Sequence, residues 1–146
     1  MPDKKATDFY YKRIPMSRKI PKPTDAELEI LQILWAKGPS TVRTVNELLN
    51  KKREVGYTTT LKLMQIMADK GLAKRNTDSR THIYEAGVEE TDTQNRLLQK
   101  FVDNTFRGSA MKMVMQALGN HNASQEELEK IKALIEQIED QNKEDQ

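Results

Sequence analysis

Apolar residues recur at helical spacing from Thr24 onward, and the breaks between the runs carry residues that start and stop helices. Thr24 and Glu27 form a T-x-x-E capping box ahead of Leu28, Ile30, Leu31, Leu34 and Trp35. Gly38-Pro39 ends this first helix, since glycine takes a left-handed cap and proline cannot continue the helix. Ser40 or Thr41 caps a second helix striped by Val42, Val45, Leu48 and Leu49, which runs out in the solvated cluster Lys51-Lys52-Arg53. The third run, GYTTTLKLMQIMADKG, has Thr58 as its expected N-cap and Thr60, Leu63, Met64 and Met67 as its core stripe. Thr58, Leu61, Lys62, Gln65 and Asp69 fall on the opposite face. After Gly71 the period drops to two, and residues 72–77 and 81–85 read as two strands of a hairpin turning at Asp78-Ser79-Arg80.

Beyond the hairpin the helical period returns. Leu97, Leu98, Phe101, Val102 and Phe106 stripe a helix ending near Gly108, and Met111, Val114, Met115 and Leu118 stripe a shorter one ending at Gly119. Ser124 and Glu127 form a second capping box before Leu128, Ile131, Leu134, Ile135 and Ile138. A segment of about sixty residues makes only a marginal core by itself. A symmetric dimer in which each copy covers the other's stripes is the economical arrangement. The expected fold is therefore mainly α. A winged helix-turn-helix of three helices and a two-stranded wing spans 24–87, and a helical dimerisation region spans 88–146.

Residues 1–23 hold seven Lys+Arg, four prolines and no periodicity, and read as a disordered basic arm. Met16 is also a plausible beginning, so the arm is either a tail that reaches along a polyanion or sequence ahead of the true start.

Charge sharpens the division. The chain carries a net +2, but the residues up to Ala86 hold 17 Lys+Arg against 10 Asp+Glu (+7) and the remainder 7 against 12 (−5). A basic half beside an acidic one implies that the first meets a polyanion. The chain has no cysteine, which removes disulfides, thiolate metal sites and a cysteine nucleophile and fits a reducing cytosol. No apolar run approaches a membrane span and no signal peptide opens the chain, so a cytoplasmic protein is expected.

Three helices followed by a hairpin is the element order of a winged helix, whose third helix enters the major groove of DNA. On that expectation Thr58, Lys62 and Gln65 face the groove, with Leu61 available to a thymine methyl group. Arg43, Thr59 and the hairpin's Lys74, Arg75 and Arg80 are expected phosphate contacts. Asp69 lies too far along the helix to reach the duplex. Catalysis has no comparable support: His82 and His121 are far apart in sequence, no metal-ligand spacing accompanies them, and neither a P-loop nor a dinucleotide motif is present. No cofactor, metal site or enzymatic activity is expected.

The segments PTDAELEILQILWAKGPSTVRTVNELL, GYTTTLKLMQIMADKGLAKR and THIYEA resemble the penicillinase repressor family, the BlaI/MecI/CopY group of bacterial transcriptional regulators, over about residues 22–140. The resemblance implies a homodimer whose winged helices bind the two halves of a palindromic operator and whose C-terminal helices intertwine. It implies a recognition helix from Thr58 to Lys70, with Thr58, Thr59 and Lys62 presented to DNA, and a wing from Ala73 to Glu85. Copper-responsive members carry C-terminal cysteine pairs, which this chain lacks. Members inactivated by a regulatory protease are cut at an Asn-Phe bond, where this chain has Met115-Gln116-Ala117-Leu118, so cleavage as the switch implies a different site sequence. Ile66 stands where several members carry arginine. Two other readings are open: a winged-helix protein-interaction module, and a repressor controlled by a small molecule held between the C-terminal helices.

Overall fold

The computed structural model describes residues 20–78 and 80–145. Their elements run α1 (Asp25–Lys37), β1 (Ser40–Thr41), α2 (Val42–Asn50), α3 (Tyr57–Lys70), β2 (Ala73–Asn76), β3 (Ile83–Ala86), α4 (Glu90–Phe106), α5 (Ala110–Asn120) and α6 (Gln125–Glu144). The fold is mainly helical, with three helices and a small antiparallel sheet in winged helix-turn-helix order followed by three more helices.

The helix starts follow side-chain chemistry. Thr24 accepts from the Glu27 amide at 3.2 Å while the Glu27 carboxylate accepts from the Thr24 amide at 2.9 Å, closing the capping box of α1. Thr41, not Ser40, caps α2 by accepting from the Thr44 amide at 3.1 Å. Gly38 ends α1 at φ 79° and ψ −163°, an extended conformation rather than the left-handed helical cap, and one that glycine alone adopts at low cost.

The start of α3 departs from expectation. Its N-cap is Gly56, no side chain caps it, and Thr58 sits inside the first turn. Gly56 stands at the cap in ordinary extended backbone, φ −69° and ψ 149°, so the helix begins at Tyr57, two residues earlier than a Thr58 cap would set. The C-terminal end is conventional: Gly71 is left-handed at φ 86°, and the Leu72 amide reaches back to the Met67 carbonyl at 2.9 Å.

Ile30, Leu31, Leu34, Val42, Val45, Leu49, Val55, Met64, Met67, Leu72 and Tyr84 close the core of this unit. Leu63 and Leu61 pack against it partly buried. Trp35 anchors the chain beyond the wing by donating from its indole nitrogen to the Val88 carbonyl at 2.9 Å. Of the arm expected over 1–23, residues 1–19 lie outside the described residues; Ile20 packs against the core and Pro23 is buried, so residues before Thr24 already belong to the packed unit.

Among the described residues the sheet has three strands, in the order β1-β3-β2: β2 and β3 form the expected two-stranded wing, and β1 adds a third that the hairpin reading did not include. Ser40 and Thr41 pair with Tyr84 and Ile83. Two residues cannot show a period, so β1 was legible only as a capping site. The wing strands are also shorter than 72–77 and 81–85. The Asn76 side chain accepts from the Asp78 amide at 2.9 Å, an Asx turn that takes the backbone out of the ladder. At the wing base a Cβ on Gly87 would lie 2.5 Å from the Gly71 carbonyl oxygen and 3.1 Å from the Ala73 nitrogen, so glycine is required by close backbone approach.

Buried polar groups tie α3 to the helices before it. The Asn46 amide donates to Thr60 Oγ1 at 2.8 Å and to the Val55 carbonyl at 3.0 Å. Lys70 Nζ lies 3.0 Å from both oxygens of Glu27, whose side chain is only 1% exposed. Burial by itself would raise the Glu27 carboxyl, but the Thr24 amide and the Lys70 ammonium outweigh it and hold the group below its ordinary 4.5.

The chain divides into two compact units between Leu97 and Leu98, inside α4, whereas the expected domains meet at 87/88. In the second unit, Arg107 (φ 52°) and Gly108 (φ 85°) turn the chain out of α4, and Ser109 caps α5. Gly119 does not terminate α5; the helix runs to Asn120, and the His121 amide bonds the Ala117 carbonyl. Ser124 and Glu127 form the expected capping box of α6. Neither α5 nor α6 has a buried residue within the single chain.

Candidate nucleic-acid interface

With no side-chain cap on α3, the amides of Tyr57, Thr58 and Thr59 are left without a helical or side-chain acceptor among the described residues, and they carry the positive end of the helix dipole. Thr58, Thr59, Lys62 and Gln65 are all exposed over the first three turns. The third threonine is different: Thr60 is fully buried and bonded to Asn46, so it belongs to the fold and not to the surface.

The N-terminal ends of α2 and α3 meet the wing loop in one cleft of about 470 Å³, lined by Thr41, Val42, Arg43, Tyr57, Leu61, Arg80, Thr81 and His82. Two arginines from separate elements thus converge on the start of the third helix. Arg43 makes a single exposed contact with Glu47 at 3.5 Å, an i,i+4 pair too weak to hold it from another anion. Lys62, Arg75 and Arg80 form no ion pair among the described residues.

The other expected contacts are spread differently. Leu61 is partly buried against the core, so only its outer edge faces the cleft, less than a thymine contact from a fully exposed side chain would offer. Lys74 lines a separate hollow with Glu89, Asp92, Thr93 and Arg96. Lys74 opposes Glu85 and Arg75 opposes Tyr84 in the ladder, so these two adjacent residues point to opposite faces of the sheet. Asp69 is exposed near the far end of α3. Tyr57, Thr41 and His82 line the cleft as well and lie outside the expected set of contacts. A Thr58 cap leaves the tyrosine outside the helix, whereas with Gly56 as the cap it is the first helical residue.

Among the residues expected to mediate dimerisation, Val102 is buried, and Leu97, Phe106 and Ile131 are partly buried. Leu98, Phe101, Val114, Leu118, Leu128, Leu134, Ile135 and Ile138 are exposed, Phe101 at 51% and Leu134 at 55%. Phe101 meets Phe106 edge-on at 5.7 Å. Among the described residues no group of three His, Cys, Asp or Glu side chains is placed to hold a metal, and no helix is long and apolar enough to cross a membrane.

Residues 23–137 match the family model described as penicillinase repressor. The chain is 24% identical over 127 residues to the penicillinase repressor of Bacillus licheniformis, covering 87% of this chain and 99% of that protein. It is 23% identical over 120 residues to the methicillin resistance regulatory protein MecI of Mammaliicoccus sciuri, covering 82% and 98% of the two chains. A solved structure of the monomeric form of Bacillus licheniformis BlaI with the blaP half-operator aligns at a TM-score of 0.45 and 25% identity, covering 51% of this chain and 92% of that one. The family match spans most of the sequence, both units included, and the chain belongs to the penicillinase repressor family.

Proposed function

We propose that this chain is a sequence-specific DNA-binding transcriptional repressor that acts in the cytoplasm as a homodimer on a palindromic operator, without enzymatic activity. The observation that carries the reading is the convergence of Arg43, Arg80 and the uncapped start of α3 on one cleft, beside an exposed face of Thr58, Lys62 and Gln65. A helix N-terminus with open amides suits a phosphate, and side chains of the next turn reach base edges. Thr58, Lys62 and Gln65 are assigned to the groove. Arg43, Thr59, Arg75 and Arg80 are assigned to the backbone, with Tyr57 and His82 beside them. Lys74, expected as a phosphate contact, shares its own hollow with Glu89 and Asp92 and is not assigned to the backbone.

Dimerisation is supported by the exposed apolar side chains of the second unit. Exposed large apolar side chains on α4, α5 and α6 are expected to be covered, and a second copy supplies matching stripes. Derepression by proteolysis of the C-terminal half is the proposed switch. It rests on the family match, which extends through α5 to residue 137.

The test is binding of the purified chain to a mixed-sequence duplex across a salt titration. The repressor reading expects affinity to fall steeply, by roughly three orders of magnitude or more, between about 50 and 200 mM salt. Salt-independent or absent binding would instead favour a protein-interaction module.

A further inference from the structure

The third helix is held at its two ends by polar bonds and along its middle by methionine. Met64 and Met67 are its fully buried apolar side chains, and both are unbranched and adaptable, so they accommodate small slides and rotations of the helix. Hydrogen bonds do not, because distance and direction are both constrained. At the N-terminal end the buried Thr60 hydroxyl accepts from the Asn46 amide at 2.8 Å and donates to the Gly56 carbonyl at 3.3 Å. Asn50 extends the same network: its side chain donates to the Val55 carbonyl at 2.9 Å and accepts from the Val55 amide at 3.1 Å. The turn into α3 is thereby fixed to α2. At the far end Lys70 is held by both oxygens of Glu27, itself locked by Thr24 at the start of α1. The two attachments lie about 15 Å apart along the helix axis.

We infer that these two clamps, Asn46 with Thr60 and Glu27 with Lys70, set the seating of α3 on the unit, and that Thr60 and Lys70 are positioning residues for sequence discrimination. The inference rests on the repressor reading and deepens it. Polar pairs with one buried member, such as Thr60 with Asn46 and Glu27 with Lys70, add little net stability but define one arrangement among several that an apolar contact would allow. Base readout by Lys62 and Gln65 depends on that arrangement, whereas attraction to phosphates depends on charge and not on the angle of the helix. Losing a clamp therefore weakens binding to the preferred sequence and leaves binding to any other sequence as it was.

The experiment compares two duplexes of equal length: the one the wild-type protein selects from a random pool, and a shuffled duplex of the same composition. Thr60→Val keeps the side-chain shape without the hydroxyl. The double variant Glu27→Gln with Lys70→Met removes the second clamp without changing net charge or leaving a buried charge unpaired. Each is expected to reduce the preference for the selected duplex about ten-fold, with shuffled-duplex binding and helical content unchanged. Thr60→Ser and Lys70→Arg are expected to retain the preference. If affinities for both duplexes fall together, if the preference survives in the folded variants, or if Thr60→Ser behaves as Thr60→Val, the clamps are structural only and the inference is overturned. Should Thr60→Val not fold, the charge-neutral double variant decides alone. A wild-type protein that selects no sequence overturns the repressor reading itself, a result distinct from the others.

Discussion

Lys62 and Arg80 play different parts in this account, and the difference is measurable. Lys62 stands on the exposed face of α3 and is assigned a base edge; Arg80 stands on the wing loop and is assigned a phosphate. Lys62→Ala is expected to weaken operator binding by about 1–3 kcal/mol and relax the preference at one base position. Arg80→Ala is expected to weaken binding equally on all sequences and to reduce the salt slope by about one unit. Glu27 supplies a prediction of pH dependence. Its carboxyl is depressed below 4.5 in the folded state, so its contribution to stability is complete above that value and is lost as pH falls through the lower folded value. The thermal midpoint is therefore expected to fall with acidification below about pH 4.5 more steeply in the wild type than in the Glu27→Gln, Lys70→Met variant. Equal pH profiles would show that the pair does not couple to folding. This residue was legible in the sequence only as half of a capping box. Its ion pair joins positions 43 residues apart, and no local pattern reports such a contact. Thr60 was legible as a core position from the helical period, though the partner of its hydroxyl was not.

At the scale of elements, the helices were readable because caps and apolar stripes reinforce one another. Thr24 with Glu27 and Ser124 with Glu127 marked α1 and α6 directly. The strands were harder: β1 is two residues long, and the wing ladder stops at an Asx turn formed by a side chain that the alternation pattern cannot show. The wing base depends on Gly87, where an added Cβ would press on backbone atoms that cannot swing away. Gly87→Ala is expected to destabilise the first unit by about 1–3 kcal/mol in urea unfolding, through displacement of β2 from the end of α3. An unchanged midpoint would mean that the close approach relaxes freely.

For the whole molecule, the apolar stripes of α4, α5 and α6 were visible as patterns, but a pattern does not say which chain covers it. In the single chain most of those side chains are exposed, and a second copy is the proposed cover. Phe101→Asp together with Ile135→Asp is expected to shift the protein from dimer to monomer in sedimentation velocity and to lower affinity for a two-half-site duplex far more than for a half-site. Retention of the dimer would place the interface elsewhere. The central claim, a dimeric reader of a specific DNA sequence, is tested most directly by selecting bound duplexes from a random pool with the purified full chain. The account predicts enrichment of a palindrome whose half-sites lie about one or a small whole number of helical turns apart. A pool that stays random through repeated rounds at low salt would contradict it.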